Sequence, residues 1–192
     1  MSDMLKIFMK SMLVDNVVFI QYLAICPFIG MTSETGKATG MGLATSFVIL
    51  LATAVTWPIY TFIMIPFELE FLQTLVFILV IASLVQLVEF YLKKTAPGLY
   101  SSMGIYLSLI TTNCAVLAIT INCFKYSYNY GQSLVYALGS AMGFLLSMVI
   151  MSGVRSKLKT ADVPHAFKGT PILYVAAGLL SLAFLGFKGL IK

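Results

Sequence analysis

The chain has 192 residues, 60% of them apolar or aromatic and only 10% charged, with a mean hydropathy of +0.98 and a formal net charge of +5. Soluble domains carry about a quarter charged residues, so this composition cannot cover a water-facing surface and excludes a soluble globular enzyme. The basic residues lie between apolar runs as orientation signals and form no nucleic-acid patch, and three cysteines without a CxxC spacing give neither a disulfide framework nor a zinc site.

Crossing about 30 Å of hydrocarbon takes about 20 apolar residues. Six runs qualify in chain order: 12–31, 40–65, 71–92, 99–124, 133–154 and 171–191. Open strands would leave backbone groups unpaired in lipid, so all six are expected to be helical. Lys6 and Lys10 before the first run imitate a secretion signal, and 23–26 imitates a lipoprotein cleavage box. Ile25 is too large for the position before such a cysteine, and Asp15 and Asn16 interrupt the apolar stretch, so the first run is expected to stay as a span.

The expected fold is an all-α integral membrane protein, a single membrane domain over 1–192. Six spans divide into halves of about 1–97 and 98–192, with the midpoint near Gly98. Three spans per half is an odd number, so the halves would be inverted repeats, an arrangement frequent among transport proteins. The first helix of each half is expected to be broken near mid-membrane. In the first, Cys26 precedes Pro27, with Gly30 close behind, and proline disfavours helix before it and supplies no N–H. In the fourth, Thr111, Thr112 and Asn113 precede Cys114, and such side chains compete for backbone hydrogen bonds. A thiol thus marks each break. Cysteine is also a small buried filler, and both readings of the pair stay open on the residues alone. Cys123 has neither counterpart nor helix-breaking context and reads as packing.

Glu89, near the end of the third run and one turn after Gln86, is either an ion-route carboxylate or a near-interface partner of Lys93. Asp15 and Asn16 read as polar residues at the membrane surface, with Asp15 kept, beside Glu89 and Asn113, as a candidate for an ion pathway. His165 reads as a solvated loop histidine near Asp162 and Lys168. Gly139 and Gly143, four apart in the fifth run, let another helix approach closely. No nucleophile–base pair, phosphate loop or dinucleotide fingerprint is present, so redox chemistry would need a small centre held by side chains, with other subunits completing it.

Several stretches together carry a family likeness: Ile25-Cys26-Pro27-Phe28-Ile29-Gly30, the segments 40–45 and 75–81, Gly104 through Asn113-Cys114 to Val116, and the segments 163–169 and 178–184. They closely resemble the RnfA/NqrE family of membrane subunits, over essentially the whole chain. Pro27 and Thr112 place the likeness nearer the RnfA branch, whereas Ser108 stands where the family pattern has proline. The resemblance implies a bacterial or archaeal cell-membrane complex that moves electrons between ferredoxin and NAD while moving Na+ or H+. It implies a [2Fe–2S] cluster with Cys26 and Cys114 as this chain's ligands. It also implies an RnfE-like homologous partner of opposite topology, besides flavin and iron–sulfur subunits. A [2Fe–2S] cluster takes four protein ligands, and two suitable thiols here agree with a shared site. The competing readings are a non-redox transporter-like bundle and a purely structural assembly component. Counting loop charges puts seven basic residues opposite the termini and five beside them, so both termini are expected on the outer side.

Overall fold

A computed structural model describes residues 2–65, 70–95, 109–110, 112–161, 164 and 167–189. Among them the secondary structure is all helical: α1 (Ser2–Met9), α2 (Ile25–Met31), α3 (Thr35–Ile59), α4 (Gln73–Thr95), α5 (Cys114–Lys125), α6 (Tyr130–Leu158) and α7 (Thr170–Leu185). A π-helical turn, Lys10–Val14, prolongs α1, and another, Tyr60–Met64, prolongs α3 just beyond Pro58. Residues 35–62, 73–90 and 130–158 are long and apolar enough to cross a membrane, whereas α5 and α7 are shorter apolar helices.

The helices overrun the apolar runs that announce them. Lys37 lies inside α3, Lys93 and Lys94 close α4, Lys125 closes α5, and Arg155 and Lys157 close α6. Hydropathy reports the thickness of the apolar layer, not the length of the helix. Lysine and arginine are good helix formers, and at a C-terminal turn they complement the helix dipole while their heads reach the interface.

The most extensive helix contact is between α3 and α6, with α1 laid against α6 and α5 against α3. Met41, Ile49, Phe144, Met148 and Met151 are fully buried between them. Thr53 and Thr56 are buried as well, and their hydroxyls donate to the carbonyls of Ile49 (2.9 Å) and Ala52 (2.6 Å), which removes the cost of an unpaired hydroxyl. The close approach expected at Gly139 and Gly143 occurs. A Cβ on Gly139 would stand 2.8 Å from the Phe8 carbonyl oxygen, and one on Gly143 2.8 Å from that of Met12. The outward surface is the reverse of a soluble protein's. Leu43, Phe47, Phe62, Leu75, Leu79, Leu179 and Leu182 are all exposed, and only 17% of the apolar window of α4 is buried. That helix meets lipid or another protein over most of its girth. The molecule is a multi-pass membrane protein.

Candidate functional site

The first span is indeed interrupted, though not where proline predicts. Helix runs from Ser2 to Val14, begins earlier than the apolar run, and stops at Asp15. Residues 15–24 are non-helical, and α2 then starts at Ile25. Pro27 falls in the first turn of α2, where its missing N–H costs nothing, so it helps open this helix and does not end the previous one. The break is made by Asn16. Its Oδ1 accepts from the N–H groups of Val18 (3.0 Å) and Phe19 (3.2 Å), while its Nδ2 donates to the carbonyls of Gly143 (3.1 Å) and Met12 (3.3 Å). Ser147 Oγ stands 3.1 Å from the same Oδ1. Asn16 is therefore fully buried against α6, a correction to its reading as a membrane-surface residue. A buried amide with every polar atom satisfied fixes its surroundings, and here it holds the loop where Gly143 leaves room.

Much of the loop is buried by its neighbours. Val17, Val18, Phe19 and Ala24 are at most 3% exposed, Phe19 meets Phe28 edge to face and Phe184 at a tilt, and Ser181 Oγ donates to the Phe19 carbonyl. Tyr22 (φ 55°) and Ala24 (φ 58°) adopt left-handed backbone conformations uncommon for residues with a Cβ; Ala24 is fully buried and Tyr22 is exposed.

Of the break expected in the fourth span the structure describes the helix start, and most of the half expected before it lies outside the described residues. Asn113 is the N-cap of α5, with Oδ1 accepting from the Ala115 N–H at 3.0 Å. Thr111, Ser108 and the repeat midpoint near Gly98 lie outside the described residues. Cys114 and Cys26 consequently occupy the same kind of place, the first turn of a short helix that begins at a break, and both thiols are exposed. The breaks also meet. The Ala24 N–H donates to Cys114 Sγ at 2.9 Å, which sets the segment leading into Cys26 against Cys114. Asn113 Nδ2, next to Cys114, is buried without a hydrogen-bond partner among the described residues. Cys123 is 1% exposed and fills space beside Ser133, as expected. Among the described residues no three of His, Cys, Asp and Glu gather as a metal site.

The remaining candidates are dispersed. Glu89 is half-buried and lines a small cleft of about 50 Å³ with Phe47, Val48, Val85 and Ile110, making no hydrogen bond or ion pair with a described residue. Asp15 is half-buried at the end of the π turn, near the connection from α5 to α6. There Tyr126 and Tyr128 have their phenol pKa values pushed up, first by burial and further by the Asp15 carboxylate. Lys10 Nζ sits 5.8 Å above the Tyr126 ring. His165 and Asp162 lie outside the described residues. Sequence reasoning missed Ala24, whose contribution is a main-chain N–H that no side chain signals. It missed Arg155 as well, which donates to the Ile29 carbonyl at 2.7 Å and so ties α6 to the end of α2.

The match to known proteins covers the same ground. A family model described as "Rnf-Nqr subunit, membrane protein" matches residues 4–191. The chain belongs to the Rnf-Nqr membrane-subunit family. Among its relatives in that family are proteins named as the A-type subunit of an ion-translocating oxidoreductase complex. The one from Syntrophotalea carbinolica is 47% identical over 100% of this chain and 99% of its own length. That from Azoarcus sp. strain BH72 is 49% identical over 99% and 98%, and that from Serratia proteamaculans 47% identical over 100% of both. The two cysteine-bearing breaks lie within the matched residues.

Proposed function

We propose that this chain is the A-type membrane subunit of an Rnf-type ion-translocating electron-transport complex, a ferredoxin:NAD oxidoreductase, and that Cys26 and Cys114 are its ligands to a [2Fe–2S] cluster shared with an RnfE-like homologue. One observation carries the reading. Two thiols at the starts of two short helices, far apart in sequence, are exposed, and the bond from Ala24 to Cys114 sets the residue two before Cys26 against the second thiol. Filler cysteines are buried, as Cys123 is, and these two are not.

The donor set fits half a cluster. Two cysteines supply half of the four protein ligands, and their exposure leaves the other half to a second chain. When bound, the cluster supplies one-electron transfer. The chain's own residues prepare the place for it. The loop held by Asn16 leads into the helix that carries Cys26, Asn113 caps the helix that starts at Cys114, and the Ala24 N–H donates to the Cys114 sulfur. The unpartnered Asn113 Nδ2 offers one more donor beside it. Buried Val17, Val18 and Phe19 keep lipid from the broken backbone.

The wider arrangement belongs to the same proposal: six spans in two inverted repeats, 1–97 and 98–192, with both termini on the outer side of the cell membrane. Na+ or H+ would move by way of Glu89, with Asp15 and Asn113 as further candidates. Iron and acid-labile sulfide are to be assayed on the isolated pair of homologous proteins and on this chain by itself. The proposal expects stoichiometric iron and sulfide in the pair and little in the single chain. A pair without iron would overturn the redox reading, and a fully loaded single chain would overturn the sharing.

A further inference from the structure

Where α6 ends and α7 begins, the surface opens into a cavity of about 380 Å³, lined by cations and apolar side chains and by neither thiol. Arg155, Lys159 and Lys168 line it together with Leu158, Ile172 and Leu173, and no acidic side chain among the described residues faces it. Arg155 uses one nitrogen, Nη1, on the Ile29 carbonyl (2.7 Å) and Thr32 Oγ1 (3.4 Å), so Nη2 and Nε take no part in those bonds. Lys159 Nζ donates to the Ser33 carbonyl at 3.0 Å and keeps two further N–H donors. Lys168 makes no hydrogen bond or ion pair with a described residue. Gly169 and Thr170, at the start of α7, complete the rim, where free helix N–H groups also favour an anion.

Three cations in one cavity, with no acidic side chain facing them among the described residues, call for an anion, and the apolar side chains that line the same cavity call for an apolar tail. We propose that this cavity binds the phosphodiester headgroup of an anionic phospholipid. The phosphate sits among Arg155, Lys159 and Lys168, and the glycerol and acyl chains leave over Ile172 and along α7. That helix continues the path with exposed Tyr174, Val175, Leu179 and Leu182, a face suited to acyl chains. The placement is right for a headgroup, since the last turn of α6 is basic where its apolar run ends. Free phosphate could use the cations and would leave the apolar side chains without a role. Arg155 gives the site a structural consequence, because the guanidinium that meets the phosphate also holds the C-terminal turn of α2, the helix that begins beside Cys26.

The test labels the intact, detergent-purified complex with phosphatidylglycerol carrying a photoreactive diazirine near the glycerol and maps the labelled peptides. Labelling is expected within 155–159 and 168–174. Unlabelled phosphatidylglycerol should compete, whereas phosphatidylcholine and inorganic phosphate at equal concentration should not. Lys159→Gln with Lys168→Gln should weaken binding by about tenfold or more, because two of the three cations are removed. Lys157→Gln, whose residue is exposed but does not line the cavity, should leave binding unchanged. Label falling elsewhere overturns the site. Equal competition by phosphatidylcholine would reduce it to general lipid contact, and competition by inorganic phosphate would make it a free-anion site; either result overturns the proposal. The mapping on the unmodified complex decides the matter even where the double variant fails to assemble.

Discussion

Ala24 and Cys114 are 90 residues apart in sequence, and the backbone N–H of the first donates to the sulfur of the second at 2.9 Å. This bond joins the segment before α2 to the first residue of α5, and Ala24 itself has a left-handed conformation (φ 58°). Replacing Cys114 or Cys26 with serine is expected to remove the iron signal and ferredoxin–NAD electron transfer together. Cys123→Ser should keep both, since Cys123 is buried beside Ser133. Iron analysis and visible absorption of the dithionite-reduced complex check this, and full iron content in a Cys26→Ser, Cys114→Ser double variant would refute the ligand assignment.

Asn16 should prove costly to change. Alanine there would strand the Val18 and Phe19 N–H groups in a buried loop and cut the tie to Gly143. Leaving buried donors unpaired costs about 1–3 kcal/mol each, so Asn16→Ala is expected to destabilise by about 2–4 kcal/mol. Thermal unfolding of the solubilised complex would show a lowered midpoint; an unchanged midpoint would mean the loop does not depend on this side chain.

The glycines of α6 separate into two kinds. Gly139→Ala and Gly143→Ala push a methyl group against the backbone of α1 and its π turn, and each is expected to cost about 1–3 kcal/mol. Gly153→Ala, on the same helix, meets nothing within 4 Å and should gain roughly 0.5–1 kcal/mol from helix propensity. Equal effects at the three positions would contradict the close approach.

Glu89→Gln should lower ion-coupled turnover or raise the cation concentration needed for it, with cluster content unchanged. The carboxylate lies in an apolar cleft without a described partner, so it is free to take a cation. A variant with the same ion dependence as the parent removes Glu89 from the route.

Orientation can be read directly. A C-terminal reporter that works only in the cytoplasm should be silent, because in the proposed six-span topology the larger share of lysine and arginine falls in the connections opposite the termini. Activity of that reporter would invert the topology.

Composition alone determined the solvent of this protein: with 10% charged residues, its exposed leucines and phenylalanines need lipid or partner proteins. Local pattern also reached the helix start at Asn113, since a cap is a short-range event between one side chain and the N–H two residues on. It reached the Gly139–Gly143 contact as well, because spacing by four places both on one face. Tertiary structure decided the rest. Asn16 looked like a surface residue because a polar side chain in an apolar run has two outlets, water or a buried partner, and its partners Gly143 and Ser147 lie well over a hundred residues away. The first break sits before Cys26 because Asn16 satisfies the loop N–H groups there, so the proline that seemed to cause it merely follows. The meeting of Ala24 with Cys114 left no mark in sequence, since every residue but proline carries the same N–H and only the packed fold determines where that N–H points.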